Sequence, residues 1–481
     1  MKKRLICLTL IVLMIIPIIS SCKFKKTDQE KYNYNWDEII TLPSDYNGHA
    51  IDVELDAMQA AIDSYLLNAV KEATEQYKYK ASRGDDIFVD ITVYEEKILT
   101  SDNSDEEIRK RGDEIPALSK KDYHITELGK DSLPYQIQLD IINSNLNLSD
   151  ILDRKYTYEQ VKDYVGAEYE GKNFYFTIKI KNKRVELGDV VTVAYKGYHI
   201  DDTNNKVKDE KGNEKDPFDT SEGAFFFPGT KLAIDDFENN LVGMLVNEPF
   251  SFYATFPDDY SEEEFKGKKV LFEVTINGLY TPPIYNNTFV KTWFNEFDTK
   301  SEFEADLKKE FIMTKMFGYV TENSKYLQYP KYEYNLHENE IKDASASFEQ
   351  YYGYSFDEYI KKSYDMTRDE YIKSQMETEM VYYAIAKKNS LTPTDAMLTN
   401  ERESLIAYYK SLYMTQQGLD EKTALNTATE FVNNLGETYI YENVMYTMVE
   451  EFLYKNAKIT EIPKTYESIT EVIAKNEAKD K

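Results

Sequence analysis

Gly188-Asp189-Val190-Val191-Thr192-Val193-Ala194-Tyr195-Lys196-Gly197 is the stretch on which the fold turns. A Gly-Asp turn feeds a run whose apolar side chains alternate (Val191, Val193, Tyr195), the period of a half-buried strand, and Gly197 reads as the turn that ends it. A charged hairpin follows, with 10 charges in residues 201–216, and reads as a solvated extension. Then come Pro217-Phe218-Asp219-Thr220-Ser221 and Phe227-Pro228-Gly229. Ala233-Ile234-Asp235-Asp236-Phe237-Glu238, with Leu241 and Gly243-Met244, predicts a short amphipathic helix. Ala254-Thr255-Phe256-Pro257-Asp258-Asp259-Tyr260 and the strand opened by Gly267-Lys268-Lys269 and carrying Phe272 close the unit.

The same signals occur once before. Gly84-Asp85-Asp86-Ile87-Phe88-Val89 repeats the Gly-Asp turn and strand, and Glu170-Gly171-Lys172 before Phe174 and Phe176 matches Lys266-Gly267-Lys268 before Phe272. Each copy runs roughly 95 residues and ends in an alternating strand, Tyr175–Ile180 or Leu271–Ile276. Two tandem β-rich domains of one fold are expected; chance likeness of short hairpin signals is the competing explanation. In the first copy Ile91 takes the place of Tyr195, no Phe-Asp pair follows, and Tyr164 alone stands where Tyr260 would. That copy is expected to be degenerate and without activity.

In this order and spacing, residues 187 to about 280 resemble the FKBP domain of trigger factor. The resemblance implies a small half-barrel and isomerisation of X-Pro peptide bonds. That reaction needs no acid, base, metal or cofactor; it needs relief of a barrier of about 18–20 kcal/mol set by amide resonance. A dry aromatic cup favours the twisted amide over the planar one, which water solvates better. By resemblance the cup is formed by Tyr195, Phe218, Asp219, Ile234, Phe237, Tyr260 and Phe272. Phe237 would be its floor, Tyr260 and Asp219 polar groups at its rim, and the Ile234 N–H a donor to a substrate carbonyl. Phe226, Phe227, Phe237 and Phe272 would also be expected simply as core, whereas Asp219 has no packing motive. Two departures point to slow turnover. Asp236 replaces the usual glycine before the floor aromatic and is expected to narrow the helix entry, and Ala224 stands where an aromatic often lines the cup.

Past Thr281-Pro282-Pro283 the pattern turns helical. Thr299-Lys300-Ser301-Glu302, Ser301-Glu302-Phe303-Glu304, Ser355-Phe356-Asp357-Glu358 and Thr367-Arg368-Asp369-Glu370 fit capping boxes. Apolar faces are expected along Phe303, Leu307, Phe311, Thr314 and Met316, along Ile372, Met376, Met380 and Tyr383, and along Tyr441, Met445, Met448 and Phe452. Met380-Val381-Tyr382-Tyr383-Ala384-Ile385-Ala386-Lys387, followed by Leu391-Thr392-Pro393-Thr394-Asp395, is similar to the helical arms of trigger factor and related chaperones. The resemblance implies a cradle for unfolded chains, which adaptable Met and Tyr surfaces suit; ordinary helix–helix core is the competing explanation. A helical face also precedes the first copy, at Leu55, Met58, Ile62, Leu66 and Ala69.

The N-terminus reads as an address. Lys2, Lys3 and Arg4 precede an apolar run from Leu5 to Ile19, too short to span a membrane comfortably. Ile19-Ser20-Ser21-Cys22 looks like a bacterial lipobox, implying lipidation of Cys22; a plain signal peptide is the alternative. Without residues 1–21 the chain carries 55 basic against 86 acidic side chains, a net charge of −31. Such a surface repels nucleic acid, so none is expected as a partner. Four scattered histidines (His49, His124, His199, His337) lack ligand spacing, so no metal or cofactor is expected.

The expected architecture is α+β, two tandem FKBP-like half-barrel β domains followed by an α-helical chaperone-like domain. Its parts are a lipoprotein signal peptide (1–21), a tether (22–48), a helix plus degenerate FKBP-like domain (49–183), an FKBP-type isomerase domain (184–281), a helical trigger factor C-terminal-like chaperone domain (284–465) and a charged tail (466–481). The expected function is a membrane-anchored foldase on the extracytoplasmic face. It would act on unfolded or nascent secreted polypeptides, with a lipid anchor in place of ribosome docking. The alternatives are a holdase lipoprotein with a vestigial pocket, and a solute-binding or adhesion lipoprotein using the β units as spacers.

Overall fold

The computed structural model describes residues 31, 33–101, 104–294, 296–465 and 471. The signal peptide, Cys22 and nearly all of the charged tail lie outside the described residues. Among the described residues, a 3-10 turn (Trp36–Glu38) leads into strands β1 (Ile40–Thr41) and β2 (Ala50–Glu54), then helix α1 (Leu55–Glu72). The first β copy holds β3 (Ile87–Ser101), β4 (Ser104–Glu114), β5 (Lys120–Ile125), α2 (Tyr135–Asn143), β6 (Ile151–Thr157), α3 (Tyr158–Val165) and β7 (Asn173–Lys183). The second holds β8 (Val190–His199), β9 (Asp219–Phe226), α4 (Asp235–Leu241), β10 (Pro249–Thr255) and β11 (Lys269–Tyr280). After α5 (Asn287–Trp293) come α6 (Lys300–Asn323), β12 (Lys325–Tyr326), α7 (Lys331–Tyr352), α8 (Phe356–Tyr364) and α9 (Arg368–Lys388). The chain closes with α10 (Asp395–Gln417), α11 (Glu421–Asn456) and β13 (Lys458–Ile462).

The two β copies share one topology. In the second, the sheet order is β10-β11-β8-β9; in the first it is β6-β7-β3, with β5 pairing β3 and β4 added along the extended β3. Register places the copies in step: Ile91 faces Ile178 as Tyr195 faces Val274, and Val93 faces Phe176 as Gly197 faces Phe272. Ile91 therefore does occupy the position of Tyr195. The two Gly-Asp turns meet on one buried lysine. Lys183 Nζ lies 2.6 Å from Asp189, 2.7 Å from Glu186 and 3.9 Å from Asp85, and the Tyr79 hydroxyl donates to Asp85 at 2.6 Å. Burial pulls the Lys183 ammonium down, but the carboxylates of Asp189, Asp85 and Glu186 more than reverse this and hold it above its usual range. Burial dominates at Asp85, pushed up to about 6.

Contacts divide the chain differently from the expected linear order. Residues up to Glu54 belong with Ser301–Ile462 in a helical unit, while Leu55–Lys300 form the β-rich unit. The expected tether is thus folded over its described part. Trp36 is buried and stacks on Tyr383 at 5.5 Å; β1 pairs antiparallel with β12, and β2 pairs parallel with β13. Lys31 Nζ reaches Glu442 at 2.8 Å. These are apolar and backbone pairings with residues some 290 to 410 positions downstream, which no local pattern reveals.

Within the helical unit the capping boxes at Ser355/Glu358 and Thr367/Glu370 form. Ile372, Met376, Met380 and Tyr383 are all buried. The other two faces are phased differently. On α6 the buried set is Phe303, Leu307, Ile312, Met313, Met316 and Val320, with Thr314 exposed. On α11 it includes Ile440, Val444, Met445, Val449 and Leu453 rather than Tyr441, Met448 and Phe452.

Candidate active site

The seven residues singled out by sequence meet around one cavity. Tyr195, Phe218, Asp219, Ile234, Phe237, Tyr260 and Phe272 all line a hollow of about 680 Å³ in the second β copy. Phe237, 3% exposed, projects from α4 at its base. Its ring centroid lies 4.6 Å from Phe226, 4.8 Å from Phe272, 5.4 Å from Phe252 and 5.5 Å from Tyr195. These are tilted and edge-to-face contacts, the arrangements that ring quadrupoles favour.

Gly197 makes the cup possible. It sits inside β8 rather than in a turn, paired with Phe272 on one side and Asp219 on the other. A Cβ built there would come within 2.6 Å of the Phe218 ring and 2.9 Å of Phe272. The glycine is needed so that two rings can lie against the strand. Val93 fills the matching place in the first copy, which accounts in part for that copy's lack of the aromatic arrangement.

The polar groups sit where the chain leaves regular structure. The Tyr195 hydroxyl donates to Asp219 Oδ2 at 2.8 Å. Burial, followed by this bond to a carboxylate, raises the Tyr195 pKa, keeping the phenol protonated at any working pH. Asp219 thus has a definite job: it fixes the Tyr195 ring. Tyr260, packed on Phe256 at 4.7 Å, has no hydroxyl partner among the described residues, and neither has the backbone N–H of Ile234. Both are donors available to a carbonyl. Ile234 precedes α4, and its loop is held by the buried Glu238, whose carboxylate accepts from the N–H groups of Gly229 (3.0 Å), Lys231 (3.0 Å) and Ala233 (2.9 Å).

Neither departure acts on the cavity as expected. Asp236 does not line the cavity; its Oδ2 accepts from the Thr255 N–H at 2.9 Å, clipping α4 to the end of β10. Ala224 also lies off the cavity, and Phe226 supplies the aromatic wall instead. A β-bulge accounts for the facing of Phe226: pairing runs Tyr195–Ser221 and then Val193–Ala224 and Val191–Phe226, so the extra residue puts Phe226 on the same face as Tyr195. Sequence reasoning also left Phe256, Pro257, Phe265, Leu232, Ala233 and Glu262 out of the site. Phe256 and Pro257 were within reach, being the two residues before Asp258-Asp259-Tyr260.

The sequence profile of the family described as FKBP-type peptidyl-prolyl cis-trans isomerase matches residues 181–277. A trigger factor of Carboxydothermus hydrogenoformans is 28% identical over 268 residues, covering 50% of this chain and 58% of its own length. One from Clostridium acetobutylicum is 27% identical over 330 residues, 64% of this chain and 70% of its own. One from Clostridium perfringens is 37% identical over 131 residues, 27% of each chain. This chain therefore spans less than two thirds of the length of the first of these relatives. A solved structure of the trigger factor chaperone, described for promiscuous substrate recognition in folding and assembly, overlaps 68% of this chain and 86% of its own at 14% identity, with a TM-score of 0.18. Residues 181–277 thus match the FKBP-type peptidyl-prolyl cis-trans isomerase family, in a chain that is similar in sequence to trigger factors over 50% to 64% of its length.

Proposed function

We propose that the second β copy isomerises X-Pro bonds in unfolded polypeptides, and that the helical unit holds such chains while it does so. The observation that carries this reading is the convergence of all seven residues on one aromatic hollow with Phe237 at its base. A proline ring seated on Phe237 leaves water, and with it goes the solvation that favours the planar amide. The hydroxyl of Tyr260 and the N–H of Ile234 then offer fixed donors to substrate carbonyls, placed before the bond twists. No proton is transferred, so Asp219 acts only by holding Tyr195.

In this reading Cys22 is lipidated and anchors the chain on the extracytoplasmic face of the membrane, where secreted polypeptides are its clients. The test of activity is isomerisation of a prolyl tetrapeptide by the whole chain. Phe237→Ala and Asp219→Ala are expected to slow it while the circular dichroism of the helical unit stays unchanged. If the parent protein gives no acceleration yet suppresses aggregation of an unfolded client, the pocket is vestigial and the chain is a holdase. Anchoring is tested separately: Cys22→Ala should move the protein from membranes to the medium.

A further inference from the structure

One wall residue of the aromatic cavity has no part in seating a proline ring or orienting its amide. Among the described residues that line this cavity, only Asp219 and Glu262 carry charge, and both are acidic. Asp219 is committed to the Tyr195 hydroxyl at 2.8 Å. Glu262 is exposed to solvent, and its carboxylate makes no hydrogen bond or ion pair among the described residues. Its place is nevertheless fixed by the loop that carries it. The Phe265 N–H donates to the Glu262 carbonyl at 3.0 Å, and the Tyr260 and Gly267 N–H groups both donate to the Pro257 carbonyl at 3.2 Å. Phe265, 9% exposed, sets its ring 4.9 Å from Phe256 and 5.1 Å from Phe218. The flanking lysines face other carboxylates: Lys266 Nζ lies 2.6 Å from Glu263, and Lys231 Nζ lies 3.8 Å from Asp235. The cup thus offers an accessible negative charge with no cation in its lining. A lysine or arginine stem can lie along apolar wall and carry its charged end to such a carboxylate.

We propose that Glu262 is a specificity residue that selects X-Pro bonds in which X is lysine or arginine, by attracting the cationic end of that side chain. This rests on the isomerase reading above. The attraction acts on the side chain of X and not on the twisting amide, so it is the same before and during rotation; it lowers KM and leaves kcat unchanged. The test uses the whole chain with three tetrapeptides, Ala-Lys-Pro-Phe, Ala-Met-Pro-Phe and Ala-Glu-Pro-Phe, methionine being the uncharged match in length. For an exposed charge pair, kcat/KM should be about two- to fivefold higher for the Lys than for the Met peptide, and lowest for the Glu peptide. The difference should be seen at about 10 mM salt and be largely gone at about 500 mM. In Glu262→Gln the Lys-to-Met ratio should fall toward one, and in Glu262→Lys the Glu peptide should overtake the Lys peptide. Each ratio is internal to one protein, so a general loss of turnover does not mimic it. Acceleration of the Met peptide without a Lys advantage would overturn the proposal and leave the isomerase reading intact. So would an advantage that is indifferent to salt, carried in kcat, or undiminished in Glu262→Gln, or loss of all turnover in both variants. Acceleration of none of the three peptides by the parent would remove the isomerase reading and this proposal with it.

Discussion

At the scale of single residues, Gly197 and Asp63 are the positions where a small change should be most informative. Gly197→Ala places a methyl group within 2.6 Å of Phe218, so the ring must move out of the cup. Overpacking of this kind costs about 1–3 kcal/mol, and prolyl isomerisation should fall together with the denaturation midpoint. Asp63 tests burial instead. It is wholly buried on α1, with Gln59 donating to Oδ1 at 2.8 Å and Oδ2 without a partner among the described residues. Burial pushes its pKa from 3.8 up to about 7, against the pull of Gln59 and Lys464. The folded state therefore holds this proton more tightly than the unfolded one. Its contribution to stability is fully present below the unfolded pKa and is lost as pH rises through about 7. Asp63→Asn should leave stability near pH 4 almost unchanged and raise it at pH 8, by at most about 4 kcal/mol. Chemical denaturation at the two pH values checks this; equal shifts at both would refute it. Sequence showed the aromatic and acidic members of the cup because their order is specific. It hid why Gly197 is glycine, since close approach of two rings to a strand is a tertiary fact. It also hid Glu238, whose partners are backbone N–H groups and leave no trace in side-chain pattern.

At the scale of elements, pattern succeeds along regular runs and fails where backbone irregularity intervenes. Ile372, Met376, Met380 and Tyr383 are all buried on α9, but so is every residue from Met380 to Ala386, so the expected face is only part of what that helix buries. On α6 the stripe drifts from Leu307 to Ile312 and Met313, since 3.6 residues per turn carries a repeat of four steadily off the buried side. Phe226, expected as core, packs against the core and also walls the cavity, because one bulge residue reverses strand alternation and turns it to the Tyr195 face. A comparable irregularity interrupts α11 at Gly436, whose φ of 86° and ψ of 166° are not helical. Few side chains tolerate that φ, so glycine is what lets the helical run change direction there. Gly436→Ala should destabilise the helical unit by more than about 1 kcal/mol, even though no atom lies near the added methyl group. A gain in stability with increased helicity would show instead that the break is not imposed by packing.

At the scale of the whole molecule, the helical unit is made from two distant stretches of chain, and the β-rich unit is carried between them. The N-terminal stretch contributes Trp36, Ile39, Ile40, Tyr46, Ile51 and Val53, all buried, together with the β1–β12 and β2–β13 pairings. Burying each such side chain is worth about 1.5–3 kcal/mol. Six of them together therefore rival the net stability of a domain, about 5–15 kcal/mol. Residues 301–465 alone should consequently fail to fold cooperatively, although every helix is present. A chain of residues 23–54 joined to 301–465 through a short Gly/Ser linker should restore a sharp thermal transition and a buried, blue-shifted Trp36 emission. The linker is tolerable on entropic grounds, since closure cost grows only logarithmically with its length. Equal melting of the two forms would mean that the N-terminal stretch merely rests on a unit already complete. A transition that appears only with residues 23–54 present would show that this segment, read from sequence as a tether, is part of the fold.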